Sequence, residues 1–97
     1  MSAETDLSVI LPAYLEEENL RVLLPRLGRV LHEVGGSYEI IVVDTPTPLD
    51  QTRAVCIEYG ASYLPRGGGE SYGDAVRTGL AASRGVWVLL MDADGSH

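Results

Sequence analysis

Four short apolar runs punctuate the chain: Leu7–Leu11 (LSVIL), Glu39–Val43 (EIIVV), Ala61–Leu64 (ASYL) and Val86–Met91 (VWVLLM). The second and fourth are nearly continuous in β-branched and large apolar residues, the pattern of strands buried on both faces of a parallel sheet. The third is short and weakly apolar. Between the runs the spacing turns helical. From Glu17 to Val34, apolar residues recur at Leu20, Leu23, Leu24, Leu27, Val30, Leu31 and Val34, which line one face of a helix. Pro25 is expected to kink or divide that helix, and Gly35-Gly36 to end it. A second helix is predicted from about Asp50 to Tyr59, closed by Gly60. A third is predicted from about Ser71 to Ser83, with Ala75, Val76, Gly79 and Leu80 facing inward. The order βαβαβαβ predicts an α/β fold: a four-stranded parallel sheet with helices on both faces, three-layered and Rossmann-like. Right-handed crossovers restrict the topology, and the strand order expected is 3-2-1-4.

Composition narrows the picture. The 97 residues, 45% hydrophobic, suit one domain spanning 1–97 and are too few for two. No apolar run approaches the roughly 18 residues of a membrane-spanning helix. The polar, acidic stretch Met1 to Asp6 is not a signal peptide, and the expected compartment is the cytoplasm. A single cysteine, Cys56, forms no internal disulfide framework and no Cys-based metal site; its place on the apolar side of the second helix suits a core residue. Fourteen acids face seven basic residues, all Arg, for a net charge of −7. Nucleic-acid binding is disfavoured by that balance. An acidic chain meets an anionic ligand through a divalent cation or backbone amides.

In open α/β sheets the ligand lies beyond the carboxyl ends of the strands, near the point where the winding reverses. The residues that follow each strand are therefore the candidates. Pro12-Ala13-Tyr14-Leu15-Glu16-Glu17-Glu18 follow strand 1, Asp44 ends strand 2, and Asp92-Ala93-Asp94-Gly95-Ser96-His97 follow strand 4. Acids delivered to one rim repel unless a cation or ligand hydroxyls lie between them. Asp92 and Asp94, two positions apart, point to one side if the backbone stays extended. Such a pair can hold Mg²⁺ or Mn²⁺, cations that take oxygen ligands and bridge to phosphates; the alternative is a solvated turn. Asp44 suits either a hydrogen-bond acceptor for a nucleotide's ribose or base or a turn acid before Pro46 and Pro48. Tyr14 suits stacking on a base or packing. Glu16, Glu17 and Glu18 favour a helix start through its dipole. The stretch Arg66-Gly67-Gly68-Gly69-Glu70-Ser71-Tyr72-Gly73 matches no P-loop and reads as a flexible loop that closes over a ligand. His32 and His97 have no partners suggesting a catalytic triad.

With these residues placed, the chain resembles the N-terminal part of an inverting family-2 glycosyltransferase of the GT-A fold, in particular the polyprenyl-phosphate (dolichol-phosphate) sugar synthases. Ser8–Leu20 (SVILPAYLEEENL) is similar to the family's V-I-P-A-Y-N-E-E-x-N-I. Ile40–Asp44 (IIVVD) matches its second strand with the nucleotide-contacting Asp. Gly73–Gly85 (GDAVRTGLAASRG) is similar to its third helix, and Met91–His97 (MDADGSH) to its metal-binding Asp-x-Asp loop. The resemblance implies that Pro12, Ala13, Tyr14 and Glu16 line the base pocket. It implies that Asp44 and Asp92 contact the nucleotide and that Asp92 and Asp94 hold Mg²⁺ or Mn²⁺ at the diphosphate of a UDP- or GDP-sugar. The reaction implied is direct displacement at the anomeric carbon by an acceptor such as a polyprenyl phosphate. Three departures stand out. Leu15 replaces the usual Asn, the Asp44–Asp50 segment lacks the usual second acid at Thr45, and Tyr72 replaces a frequent Lys.

The family's acceptor half and catalytic base have no counterpart in these four blocks. The expectation is thus a donor half-domain, a truncated GT-A fold that transfers no sugar by itself. Two other functional classes fit the same sheet: a nucleotidyltransferase-like enzyme, and a non-catalytic nucleotide-binding or interaction module. The apolar run 86–91, at an edge in the expected strand order, predicts a homodimer or larger assembly.

Overall fold

The computed structural model describes residues 4–93. Its elements are β1 (Leu7–Pro12), α1 (Glu17–Val34), β2 (Tyr38–Asp44), α2 (Thr52–Tyr59), β3 (Ser62–Pro65), α3 (Tyr72–Ala82) and β4 (Trp87–Leu90). They form the expected parallel sheet in the order β3-β2-β1-β4. Register pairs Val9 with Ile40 and with Leu89, and Val43 with Leu64.

Alternation along the central strands builds two cores. On one face Val9, Leu11, Ile40 and Val42 meet Leu20, Leu24, Leu27 and Leu31 of α1 and Val55 and Cys56 of α2. On the other, Ile10, Ile41 and Val43 meet Ala75 of α3. Helix α1 runs unbroken through Pro25, so the expected division does not occur. A helix-interior proline costs about 3 kcal/mol. The four buried leucines of α1, about 1.5–3 kcal/mol each, lie on both sides of Pro25 and outweigh that.

Helix α2 starts at Thr52 rather than near Asp50, because the Asp50 carboxylate is used outside the helix. Its Oδ1 accepts the Thr52 N–H at 3.0 Å and its Oδ2 the Glu17 N–H at 3.2 Å, while Glu17 Oε1 accepts the Gln51 N–H at 3.0 Å. One acid thereby serves the starts of both α1 and α2. Helix α3 opens on a reciprocal cap: Ser71 Oγ accepts the Asp74 N–H, and Asp74 Oδ2 accepts the Ser71 N–H, each at 3.0 Å. Ala75 and Gly79 face the sheet as expected, but Leu80 is exposed. Gly79 lies so close to β1 that a Cβ there would come within 2.5 Å of Ile10 Cγ2.

Strand β4 departs most from its pattern. It was expected to be buried on both faces, yet all four residues are exposed, Trp87 at 73%. Among the described residues it is an edge strand paired with β1 alone, and α3 lies over β1, β2 and β3. A polar knot secures its start. Ser8 Oγ donates to Glu39 Oε2 at 2.6 Å and accepts the Gly85 N–H at 2.8 Å, and the Arg84 N–H donates to Glu39 Oε2 at 2.7 Å. Burial pushes the Glu39 carboxyl up, but the bonds from Ser8 and Arg84 and the Arg84 charge together bring it below its ordinary value.

Candidate functional site

The site lies at the carboxyl rim of the sheet, where winding reverses between β1 and β4. Past the end of β1, the Ala13 N–H donates to the Val43 carbonyl at 2.8 Å and carries the β1–β2 pairing one residue further. The chain then leaves the sheet through Tyr14 and Leu15. Leu15 has φ 54°, a left-handed turn unusual for a branched apolar residue. Glu16 follows, its Oε1 accepting Asn19 Nδ2 at 2.7 Å.

These residues form one wall of a cleft of about 390 Å³. Pro12, Ala13, Tyr14 and Glu16 come from the β1 end, Asp92 and Ala93 from beyond β4, and Arg66, Glu70 and Tyr72 from the segment between β3 and α3. Five residues expected at the site, Pro12, Ala13, Tyr14, Glu16 and Asp92, are thus brought together. Asp44 is not among the lining residues. It ends β2 at 1% exposure, with Oδ2 accepting the Tyr63 hydroxyl at 2.7 Å. Burial, then that hydrogen bond and the Asp44 charge, push the Tyr63 phenol up. Burial and the Asp44 charge push the Cys56 thiol up to about 12, so Cys56 is a core thiol rather than a nucleophile. Asp94 lies outside the described residues.

Arg66 was not singled out by the sequence reading. It is 7% exposed, and its guanidinium is bonded to main-chain carbonyls. Nε donates to Asp44 O at 3.0 Å, one terminal nitrogen to Glu70 O and Ser71 O at 3.0 and 3.2 Å, and the other to Ala13 O at 2.5 Å. Its own N–H donates to Asp44 O at 2.9 Å. The rule that exposed Asp44 as a candidate also applies to Arg66, which immediately follows β3. The glycine stretch, read as a flexible loop, is tied down at both ends in the structure. The Gly67 N–H donates to Thr78 Oγ1 at 2.8 Å, and Ser71 and Asp74 close the cap described above. Gly69, at φ 154°, needs to be glycine, since a Cβ there would lie 2.6 Å from Asp74 Oδ2. The two Ser71 bonds outweigh the effect of burial and, with a lesser contribution from the Arg77 bond and charge, hold the Asp74 carboxyl below its ordinary range.

Among the described residues, the acids on the cleft are Glu16, Glu70 and Asp92. Carboxylate oxygens suit Mg²⁺ or Mn²⁺. Among the described residues, however, no three His, Cys, Asp or Glu side chains gather closely enough to hold a metal unaided. Of the expected pair Asp92 and Asp94, Asp92 lines the cleft. No helix among the described residues is long and apolar enough to cross a membrane.

An open parallel sheet with a ligand-sized cleft over its switch point defines the doubly wound class of α/β domain. The chain belongs to Glycosyl transferase family 2, whose family model matches residues 8–97. It is 37% identical over 109 aligned residues to a dolichyl-phosphate beta-glucosyltransferase of Mus musculus, covering 98% of this chain and 33% of that protein. Mannosyl-3-phosphoglycerate synthase from Rubrobacter xylanophilus superposes with a TM-score of 0.82 at 25% identity, over 93% of this chain and 31% of that one. Glucosyl-3-phosphoglycerate synthase from Mycobacterium tuberculosis, solved with Mn²⁺, UDP and glucosyl-3-phosphoglycerate, gives 0.77 at 27% identity, over 92% and 33%. The fold is GT-A, and the chain spans about a third of the length of the relatives it matches.

Proposed function

We propose that this chain is the donor-binding part of a metal-dependent, inverting glycosyltransferase that acts in the cytoplasm on a UDP- or GDP-sugar and passes the sugar to an acceptor such as a polyprenyl phosphate. The observation that carries the reading is the cleft itself, which gathers Pro12, Ala13, Tyr14, Glu16 and Asp92 at one rim of a family-2 fold. The likeness to a dolichyl-phosphate glucosyltransferase and to a synthase solved with UDP and Mn²⁺ supports it.

In this reading Pro12, Ala13 and Tyr14 bound the base. Glu16 accepts hydrogen bonds at the same wall, and the buried Asp44, oriented by Tyr63, holds the nucleoside side from below. Asp92 and Asp94 would hold Mg²⁺ or Mn²⁺, a group that would supply charge neutralisation for a diphosphate leaving group. The chain spans about a third of the length of the relatives it matches, and in this reading the 97 residues bind donor without transferring sugar by themselves.

Calorimetry of UDP and GDP against the purified chain tests this. With Mn²⁺ one of the two binds, and chelator weakens binding about tenfold or more, some 1.4 kcal/mol. Asp92→Asn removes most of that difference. Binding that is indifferent to chelator would refute the metal role, and no binding of either nucleotide would refute the donor role.

A further inference from the structure

Three separate chain segments meet beside the cleft, the turn after β1, the end of β2 and the loop 66–73; the first and third line it, together with the residues beyond β4. Helix dipoles, caps and strand pairing account for each segment singly. One side chain touches all three. The Arg66 guanidinium donates to Ala13 O in the first, Asp44 O in the second, and Glu70 O and Ser71 O in the third. Four of its five N–H groups are thereby taken by neutral carbonyls. No carboxylate among the described residues pairs with it within 4.0 Å. A buried cation without an acid partner is a poor way to gain stability alone. Arg66 also lines the cleft, alongside Glu16, Glu70 and Asp92, and among the described residues it is the sole basic side chain there.

We propose that Arg66 is the positioning residue of the donor site, a guanidinium clasp that locks these three segments in register and keeps positive charge at the cleft for an anionic ligand. This rests on the donor-binding reading. The planar fork is what the role requires. It reaches carbonyls in diverging directions at fixed angles, which an ammonium on a flexible stem does not reproduce. Arg66→Lys therefore keeps the charge and loses the clasp, so the two contributions separate.

The test has two readouts on the 97-residue chain. Hydrogen exchange of the amides of Ala13, Gly67, Ser71 and Asp74 becomes at least about tenfold faster in Arg66→Lys, while the amides of Ile10 and Ile41 in the central strands keep their protection. Affinity for UDP or GDP with Mn²⁺, whichever the wild type binds, falls about tenfold or more in Arg66→Lys, and further in Arg66→Gln. Unchanged loop exchange, or unchanged affinity in Arg66→Lys, overturns the proposal. If the wild type binds neither nucleotide, the donor reading fails and loop exchange alone judges the clasp. If the variants do not fold, NMR of the wild-type arginine side chains decides. A clasped Arg66 gives resolved guanidinium N–H signals slow to exchange with water, and a freely rotating, fast-exchanging guanidinium refutes it.

Discussion

Leu15 holds φ 54° at the edge of the cleft, a left-handed conformation that costs an ordinary L-residue about 1–2 kcal/mol. Its side chain is 53% exposed, so little packing repays the strain. Asparagine, the residue the family resemblance places here, tolerates this region far better. Leu15→Asn is expected to raise stability by about 0.5–1 kcal/mol in urea unfolding, within the range for relieved backbone strain. A loss of stability would show that the leucine makes contacts worth more than its strain. Glu39 offers a second residue-level test, this time with pH. Its folded pKa lies below its ordinary 4.5, so the stabilisation it gives is fully present above that value and is lost as pH falls through the folded pKa. Glu39→Gln should cost about 1 kcal/mol at pH 7, a typical hydrogen-bond contribution, and the gap from wild type should shrink steadily below pH 4.5. A gap independent of pH would mean that the carboxylate charge has no part in the knot with Ser8 and Arg84.

Among the elements, α3 is the most closely seated, and the reason is a glycine. Gly79 has no room for a Cβ against Ile10, so Gly79→Ala should destabilise by about 1–3 kcal/mol, the cost of overpacking a core. This would happen despite alanine's better helix propensity of about 1 kcal/mol. Calorimetric melting checks the sign, and a raised midpoint would show that α3 can shift outward freely. The same element shows what could be read from sequence. Its span, its Ser71 start and its Ala75 face were legible because capping chemistry and helical spacing are local properties. Leu80 was misassigned because periodicity marks a side of a helix without saying how far the sheet extends beneath it. Strand β4 repeats the lesson more sharply. VWVLLM and EIIVV look alike as strings, but β2 has neighbours on both sides and β4 has one. An apolar run states what a strand prefers, and cover must come from elsewhere in the fold. The rim rule picked out Pro12, Ala13, Tyr14, Glu16 and Asp92, which the structure places around one cleft. Arg66 escaped because its chemistry here is directed at main-chain carbonyls, which leave no mark in residue type.

On the scale of the whole molecule, the exposed β4 is the feature most open to challenge. Trp87, Val88, Leu89 and Leu90 are exposed beside unpaired edge N–H and C=O groups, a template for another strand. We expect the isolated 97 residues to associate through this edge. Light scattering at micromolar concentration should give a mass above 10.4 kDa, and Leu90→Lys should return it to that of one chain. A wild-type mass of 10.4 kDa would show the edge is tolerated. The cover of the sheet is uneven in another respect: α1 and α2, tied together by Asp50, share one face, while α3 stands alone on the other. The loop and first residue of α3 also supply Arg66, Glu70 and Tyr72 to the cleft. The thinnest layer of the protein is therefore also the gatepost of its cleft. A shift of α3 away from the sheet would change the shape of the cleft together with the packing beneath it.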